Sequence, residues 1–241
     1  MEVRIAMTAC KDGTMQAVFA ADHDRPLKLH LGCGERYLDG YVNVDFPPSA
    51  HSVQQSSPAD AFMDIRELRL PSHSVAEVRS HHLYEHFARP VACGLLSCWV
   101  SWLVEGGRIR IETPDFTRSA LRAISPFSSE REKCVALRHI FGSNEAQWAV
   151  HLDGWGPKRL TRLMRLYGLT VVECKRTSWK GTYNVDVVAE LRDTPPNRNQ
   201  LRERVHDYLR QFTVDGSIGE QRLLREWIRQ YDAQVELGWA G

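Results

Sequence analysis

Two glycines and an aspartate stand at the ends of two short apolar runs in the stretch KLHLGCGERYLDGYVNVDF. Gly32 and Gly34 directly follow the first run, and Asp45 ends the second. Glycines after a strand permit a tight turn and let a ligand approach the backbone, because no Cβ is in the way. A carboxylate at the end of the next strand can accept hydrogen bonds from both hydroxyls of a ribose. The pattern predicts a site for a nucleoside without a pyrophosphate, since Tyr37 stands where a pyrophosphate loop has its third glycine.

Polar side chains of a second kind follow later apolar runs. His82 and His86 occur in HHLYEH, and Asp115 follows the next strand-like run. His151 lies in the polar stretch NEAQWAVHLDGW. Histidine is the commonest general base near neutral pH, so His86, His151 and Asp115 are the candidates for removing a proton from an acceptor. Each also has a plain structural reading, as a helix cap, a solvated loop residue and a turn anchor respectively.

A metal ion is not expected from the sequence. His81, His82 and His86 are the nearest approach to a ligand set, but adjacent histidines rarely face one ion. No clear set of carboxylates joins them in the sequence. Cys33, between the two glycines, is interpreted as a small residue that fits rather than as a nucleophile. Aromatic walls for a ring-shaped acceptor are expected from Trp148, Trp155, Trp179 and Tyr183.

Strand-like and helical patterns alternate along the chain and must position these residues. Strands are predicted at 27–31, 41–46, 61–65, 75–80, 108–113, 170–175 and 183–190, and helices at 90–104, stopped by Glu105-Gly106-Gly107, and at 158–167. The alternation predicts an α/β fold with a mainly parallel sheet covered on both faces. The connection TSWKG is too short for a parallel crossover, so the last two strands should form an antiparallel hairpin. Residues 32–40 are also short for a crossover, so either the first helix shrinks to one turn or the predicted limits of the first two strands are wrong.

Three segments follow from these patterns. Residues 1–26 show no clear period and are left unassigned, and residues 27–193 form the sheet domain. After Pro195-Pro196-Asn197, residues 194–241 carry two amphipathic patterns and are expected to form a helical extension. The apolar faces of these helices are more typical of packing than of recognition, although they also suit a homodimer contact or a partner helix.

Composition narrows the partners and the compartment. The 241 residues carry 31 basic and 30 acidic side chains and no basic stripe with interleaved aromatics, so nucleic acid is not an expected partner. No apolar run is long enough to span a membrane, and no signal peptide is evident. Six cysteines without a CxxC pair are typical of reduced thiols in a cytoplasmic protein.

The ordered set LHLGCG, NVD, MDI, SHHLYEH and EGGRIRIETPDF resembles the class I S-adenosylmethionine-dependent methyltransferases. More narrowly, it is similar to a group that reads LGCG, NVD, DIR, LEH and PD and is often associated with glycan modification. The resemblance covers residues 28–116, and the hairpin up to Glu190 is in keeping with it. It implies a Rossmann-like, doubly wound seven-stranded sheet with an antiparallel last strand. It also implies S-adenosylmethionine as the methyl donor and a small-molecule, sugar or glycan hydroxyl as the acceptor.

The resemblance also implies roles for individual residues. Gly32 and Gly34 would lie against the methionine part of the cofactor, and Asp45 would hold its ribose. Asp64 with the backbone of Ile65 would contact the adenine, and the segment after the fourth strand would contact the amino acid end. The implied cofactor-binding set is Gly32, Cys33, Gly34, Asp45, Asp64, Ile65, Ser80, His81 and His82.

Two other functions remain open from the sequence. A nicotinamide-dependent oxidoreductase could use a related sheet, although the missing third glycine and the terminal hairpin weigh against it. An inactive cofactor-binding module could use its C-terminal helices for assembly. Binding of the cofactor product, with or without turnover, would separate these readings.

Overall fold

Seven strands form one sheet in the computed structural model, which describes residues 25–47, 49 and 56–240. In chain order the strands are β1 (Leu27–Leu31), β2 (Val42–Asp45), β3 (Ala61–Phe62), β4 (Val75–His81), β5 (Leu103–Pro114), β6 (Thr170–Trp179) and β7 (Thr182–Glu190). Their spatial order is β3-β2-β1-β4-β5-β7-β6. The pairs from β3 to β5 are parallel, and β7 is antiparallel to both of its neighbours. The predicted doubly wound, mostly parallel sheet with an antiparallel last strand is confirmed.

Six α-helices accompany the strands in the described part of the chain. They are α1 (Arg89–Trp102), α2 (Phe116–Ile124), α3 (Glu130–Phe141), α4 (Pro157–Leu166), α5 (Arg198–Arg210) and α6 (Ile218–Gly238). Local sequence explains several of their starts. Ser129 and Glu132 form a capping box at α3, and Asn197 and Gln200 form one at α5. None of these helices combines the length and the apolar content that a bilayer crossing requires.

The helix before β5 ends earlier than its apolar pattern predicts. The expected helix over 90–104 stops at Trp102, and β5 begins at once with Leu103, which pairs with Val75 of β4. Glu105-Gly106-Gly107 therefore lies inside the strand and not in a turn after the helix. Gly106 has a φ of +72° at this irregularity, and its N–H donates to the carbonyl of Leu191. The predicted C-terminal limit of this helix was wrong, because Leu103 already pairs with β4.

The connection from β1 to β2 contains no helix, although the two strands are parallel. Of the two explanations for the short stretch 32–40, the one-turn helix was wrong, and the predicted limits of β2 were one residue too wide at each end. Instead, the fully buried side-chain amide of Asn43 forms hydrogen bonds with the backbone of this loop. Its Oδ1 accepts from the Leu38 N–H at 2.9 Å and from His30 Nδ1 at 3.0 Å, and its Nδ2 donates to the carbonyls of Leu38 and Tyr41 at 3.1 Å. One buried side chain thus replaces the hydrogen bonds that a helix would have supplied.

The two C-terminal helices pack on α1. Ile228, Tyr231 and Val235 of α6 are buried within the same apolar core as the sheet residues. The Tyr231 hydroxyl hydrogen-bonds Ser97 Oγ at 2.9 Å, and Trp102 Nε1 donates to the Gly238 carbonyl at 2.8 Å. The predicted pair of amphipathic helices is therefore present, and its apolar stripes serve packing. The unassigned N-terminal segment falls outside the described residues up to residue 24.

Candidate functional site

A cavity of about 570 Å³ opens at the carboxyl ends of β1, β2 and β4. Gly32 and Gly34 line it from the turn after β1, Asp45 from the end of β2, and His82 from the segment after β4. This is the edge at which open α/β sheets bind their ligands. The volume lies within the range of cofactor and small-molecule sites. Apolar and aromatic side chains complete the wall: Phe46, Leu83, Phe87, Trp148 and Leu152.

The two glycines form a backbone cradle for a ligand. Gly32 has a φ of +66° and Gly34 a φ of +56°, a region that side chains other than glycine rarely adopt. A Cβ on Gly32 would lie 2.9 Å from Leu83 Cβ, whereas a Cβ on Gly34 would meet no atom within 4 Å. Gly32 is thus required by both conformation and space, and Gly34 leaves open room beside the cavity.

Asp45 presents a largely buried carboxylate to this cavity. Its exposed fraction is 7%, and the Phe46 N–H donates to its Oδ1 at 2.8 Å. Ser57 Oγ donates to its Oδ2 at 3.4 Å. The carboxylate is therefore held in place by the chain that leaves β2, which suits an acceptor for ligand hydroxyls.

Cys33 does not line the cavity, although it lies between two residues that do. Its side chain is buried. Burial, with a contribution from the Asp45 charge, raises the pKa of the Cys33 thiol to about 11. A neutral buried thiol packs like a small apolar side chain, and this agrees with its interpretation as a residue that fits.

Asp64 and Ile65 lie in a 3-10 turn outside the lining of the cavity. The Asp64 carboxylate accepts the Arg66 N–H at 2.9 Å and the Arg66 Nε at 2.8 Å, and it also pairs with Arg66 Nη2. Arg66 itself lines the cavity and was not expected there. Ser80 is fully buried in β4 and lines neither this cavity nor the next.

A second cavity of about 730 Å³ adjoins the first. Four residues line both cavities and therefore form their common wall: His82, His86, Glu145 and Trp148. The second cavity extends to α3 and to the β6–β7 hairpin, where Arg138, His139 and Trp179 line it. It also takes in His81, Glu112 and His151. Of the expected aromatic walls, Trp148 and Trp179 are present, whereas Trp155 is fully buried and Tyr183 lies under the Arg118 guanidinium.

Backbone hydrogen bonds set the tautomers of two histidines at this cavity. His86 Nδ1 donates to the Val150 carbonyl at 3.0 Å, and His151 Nδ1 donates to the His139 carbonyl at 3.1 Å. A carbonyl only accepts, so each neutral ring carries its proton on Nδ1 and its lone pair on Nε2. The two rings meet edge to face with their centroids 4.8 Å apart.

Glu85 lies beside these rings as a buried carboxylate. Its exposed fraction is 2%, and neither of its side-chain oxygens has a hydrogen-bond partner in the described part of the chain. The nearest basic atoms are His82 Nδ1 at 3.4 Å and His151 Nε2 at 3.9 Å. Burial raises the pKa of Glu85, but the three histidines around it outweigh burial and lower it. The sequence did not predict these surroundings, because nothing local to HHLYEH shows that His151 comes beside Glu85.

The remaining histidines of the cavity differ in their electrostatics. Burial lowers the pKa of His139 to about 4 and also lowers the pKa of His151. Burial lowers the pKa of His82 too, but its interaction with Glu85 outweighs this effect and raises it. His82 has a φ of +50°, which turns the chain at the end of β4. The cavity therefore combines two histidines whose pKa values burial lowers, His139 and His151, with His82, whose pKa is raised by Glu85.

Asp115 lies outside both cavities. It is fully buried at the start of α2, where its Oδ1 accepts the Arg118 N–H at 3.2 Å and caps the helix. Its Oδ2 forms an ion pair with Arg176 Nε at 2.9 Å. These contacts are those of a helix cap that joins α2 to β6.

No protein-family model and no curated protein matches the chain. Among solved structures, one from Haloferax volcanii holds the Trm112 methyltransferase activator with its proposed methyltransferase. It is 15% identical with a TM-score of 0.49, covering 76% of this chain and 90% of that one. The 1,6-didemethyltoxoflavin-N1-methyltransferase of Burkholderia thailandensis, solved with 1,6-didemethyltoxoflavin and S-adenosylhomocysteine, is 16% identical with a TM-score of 0.43 over 76% and 80%. An S-adenosylmethionine-dependent methyltransferase of Methanosarcina mazei is 10% identical with a TM-score of 0.44 over 72% and 95%. At these identities the likeness concerns the Rossmann-like fold alone.

Proposed function

We propose that this chain is an S-adenosylmethionine-dependent methyltransferase that methylates a hydroxyl of a small-molecule, sugar or glycan acceptor. The observation that carries the proposal is the common wall of the two cavities. A cavity with a glycine cradle and a strand-end carboxylate borders a second, larger cavity through His82, His86, Glu145 and Trp148. The two cavities meet at these four residues. A ligand in each cavity that reaches this meeting point would have its reacting group close to that of the other, which is the main requirement of a group transfer.

The first cavity suits S-adenosylmethionine. Gly32 and Gly34 leave the backbone open to the methionine part, and Asp45 can accept hydrogen bonds from the ribose hydroxyls. Phe46 and Phe87 supply apolar walls for a flat base. When bound, the cofactor supplies a methyl group on a positively charged sulfur. This sulfur is a good leaving group. The proposal keeps four further members of the cofactor-binding set only as groups that support the wall of the first cavity: Cys33, Asp64, Ile65 and Ser80.

The second cavity suits a polar, ring-shaped acceptor. Trp148 and Trp179 provide flat apolar surfaces, and Arg138 and His139 provide polar groups on the α3 side. Such a mixture is typical of sites that bind rings carrying several hydroxyls. Its position beside the first cavity supports a hydroxyl acceptor held at the common wall.

We assign activation of the acceptor hydroxyl to His86 and His151. Their Nε2 lone pairs are the basic atoms at this end of the second cavity, because both Nδ1 atoms are engaged by carbonyls. A basic lone pair at the acceptor favours O-methylation, since a hydroxyl must lose its proton as it reacts. Asp115 is retained as a residue that fixes α2, the helix on which α3 packs.

Two alternative functions make different demands. A nicotinamide dinucleotide would need a pyrophosphate loop, but Tyr37 stands at the third-glycine position and its hydroxyl donates to Asp60 at 3.2 Å. An inactive assembly module would bind the cofactor product without turnover.

Three further features remain proposals: a cytoplasmic location, a division into residues 27–193 and 194–241, and a homodimer through the C-terminal helices. The unpaired cysteines of the described residues support the reducing compartment.

Calorimetric titration with S-adenosylhomocysteine and with NAD tests the donor assignment. We expect the wild type to bind S-adenosylhomocysteine and not NAD, and Asp45→Ala to weaken this binding by about tenfold or more, as expected for a lost hydrogen bond to a charged group. Asp39→Ala, at an exposed position outside the cavity lining, is the matched control and should bind like the wild type. Binding of NAD alone, or equal binding by Asp45→Ala, would overturn the donor assignment.

A further inference from the structure

Three potential metal ligands from two distant parts of the chain come together at the second cavity. They are Glu85 and His86 after β4 and His151 before α4. One ligating atom from each lies within 4.8 Å of the others. Ligands of one ion are usually about 3 to 3.5 Å apart, given metal–ligand bonds of about 2.0–2.2 Å. Modest side-chain rotations would therefore close the set.

The Glu85 carboxylate has only two long ion pairs in the described part of the chain, with His82 Nδ1 at 3.4 Å and with His151 Nε2 at 3.9 Å. It is almost fully buried, and neither oxygen accepts a hydrogen bond in the described part of the chain. Leaving a buried charge unsatisfied is strongly unfavourable, so such groups are paired or bind metals. A cation between Glu85 and the two rings would remove this cost.

The hydrogen bonds of the two histidines are those of metal ligands. Metal-binding histidines commonly donate their other ring N–H to a backbone carbonyl, which fixes the tautomer and the direction of the lone pair. His86 and His151 do so through the carbonyls of Val150 and His139. Both Nε2 lone pairs are thereby left for an ion.

A second cluster of potential metal ligands gives weaker support for a metal site. His81, His82 and Glu112 also bring their ligating atoms within 4.8 Å of one another. There, however, His81 Nδ1 already donates to Glu112 Oε2 at 2.9 Å, so the carboxylate is satisfied without an ion. His82 lies 3.4 Å from Glu85 and suits a supporting contact to that carboxylate.

We propose that Glu85, His86 and His151 bind one divalent transition-metal ion. The inference rests on the proposed function for its role in catalysis but not for its existence. Two imidazoles and one carboxylate with open positions suit Zn²⁺ or Fe²⁺, whereas Mg²⁺ and Ca²⁺ prefer oxygen ligands throughout. The sequence expectation of no metal considered His81, His82 and His86. Glu85 is next to His86 in the sequence, and the fold brings His151 to this pair. An ion here would occupy both Nε2 lone pairs. It would then act as a Lewis acid that lowers the pKa of a bound acceptor hydroxyl, in place of direct proton removal by His86 or His151.

Metal binding by the full chain tests the proposal directly. The purified protein is treated with a chelator, dialysed and titrated with Zn²⁺ by calorimetry, and with Co²⁺ by visible absorption. We expect one equivalent to bind the wild type, with a rise in the thermal unfolding temperature. Glu85→Gln and His151→Gln should each weaken Zn²⁺ binding by at least about 100-fold, because even supporting residues typically cost about 10–100-fold. His81→Gln should bind Zn²⁺ like the wild type.

The controls separate failure of this inference from failure of the proposed function. S-adenosylhomocysteine is titrated into the same samples, and circular dichroism confirms that each variant is folded. Binding of S-adenosylhomocysteine without Zn²⁺ binding would overturn the metal site and leave the donor site standing. Zn²⁺ binding without S-adenosylhomocysteine binding would support the metal site and overturn the methyltransferase. Loss of Zn²⁺ binding in His81→Gln but not in Glu85→Gln would overturn the proposed ligand set in favour of the second cluster.

Discussion

The imidazole of His86 meets that of His151 edge to face, with 4.8 Å between the ring centroids, and both rings present Nε2 lone pairs. His86 belongs to the wall that both cavities share, whereas His151 lines only the second cavity. The pair therefore spans the distance from the proposed donor to the proposed acceptor. Each histidine should affect a different combination of binding and turnover.

His151→Gln should lower turnover without changing donor affinity. Removing the basic nitrogen is expected to reduce kcat by about 100-fold or more, the usual contribution of a positioned proton acceptor or a metal ligand. The dissociation constant of S-adenosylhomocysteine should stay within about twofold, because His151 does not line the first cavity. Turnover is measured with a labelled methyl donor on an acceptor found by screening hydroxyl compounds. A variant that keeps its kcat would remove His151 from the reaction.

The two glycines of the cradle should respond differently to alanine. Both have positive φ, so either substitution costs about 1–2 kcal/mol of unfolding free energy for the left-handed backbone. Gly32→Ala should cost more and weaken S-adenosylhomocysteine binding, since its Cβ meets Leu83 at 2.9 Å. Gly34→Ala should cost only the backbone strain, because nothing lies within 4 Å. Urea unfolding and calorimetry check both, and equal losses in the two variants would contradict the cradle geometry.

Much of the sheet was predictable from the sequence because its signals are local. Apolar runs and the short connection TSWKG predict the strands and the terminal hairpin, which the structure contains. The position of Gly32, Gly34 and Asp45 at the first cavity was predictable for the same reason, since each lies at the end of a strand. The loop in place of the first helix was not predictable, because it depends on Asn43, whose burial is a tertiary property.

The surroundings of Glu85 were not predictable for a related reason. Its surroundings form where two distant segments meet, held by the Leu152 N–H to the Glu85 carbonyl at 2.8 Å. No spacing within HHLYEH records that contact. Asp64 is the opposite case. Its position in the sequence fits a ligand contact, but in the structure its carboxylate pairs with Arg66, two residues later.

Asp115 should contribute to stability and not to turnover. Asp115→Ala removes the cap of α2 and the ion pair to Arg176, and it should lower the free energy of unfolding by about 1–2 kcal/mol or more. Asp115→Asn keeps a capping oxygen and should cost less. Urea unfolding of both variants gives the comparison. If Asp115→Asn folds normally but loses methyl transfer, the catalytic assignment made from the sequence is restored.

Gly94 should be required where α6 crosses α1. Alanine is normally favoured over glycine in a helix by about 1 kcal/mol. Here a Cβ would lie 2.6 Å from Gln234 Cβ and 3.2 Å from the Tyr231 carbonyl, so crowding should exceed this gain. We expect Gly94→Ala to lower the free energy of unfolding by about 1–2 kcal/mol. Increased stability in urea would instead mean that α6 docks loosely, and would favour a separate C-terminal extension.

His30 should make the fold sensitive to mild acid. It is fully buried, and burial lowers its pKa from 6.5 to about 4, with Arg79 and His81 adding to the effect and the hydrogen bond to Asn43 opposing it. Protons therefore bind the unfolded chain more readily, so the contribution of His30 to stability is complete above about pH 6.5 and is lost as pH falls towards 4.

Replacing His30 by a side chain that does not titrate should remove this sensitivity. His30→Asn retains a donor towards Asn43, and His73→Asn, at an exposed position with positive φ, controls for the loss of one histidine. Between pH 7 and pH 5 the wild type should lose about 2 kcal/mol more unfolding free energy than His30→Asn does. Urea unfolding at the two pH values gives the difference. Parallel losses in the wild type and His30→Asn would show that His30 takes up its proton without unfolding, and that the loop at Asn43 opens to admit water.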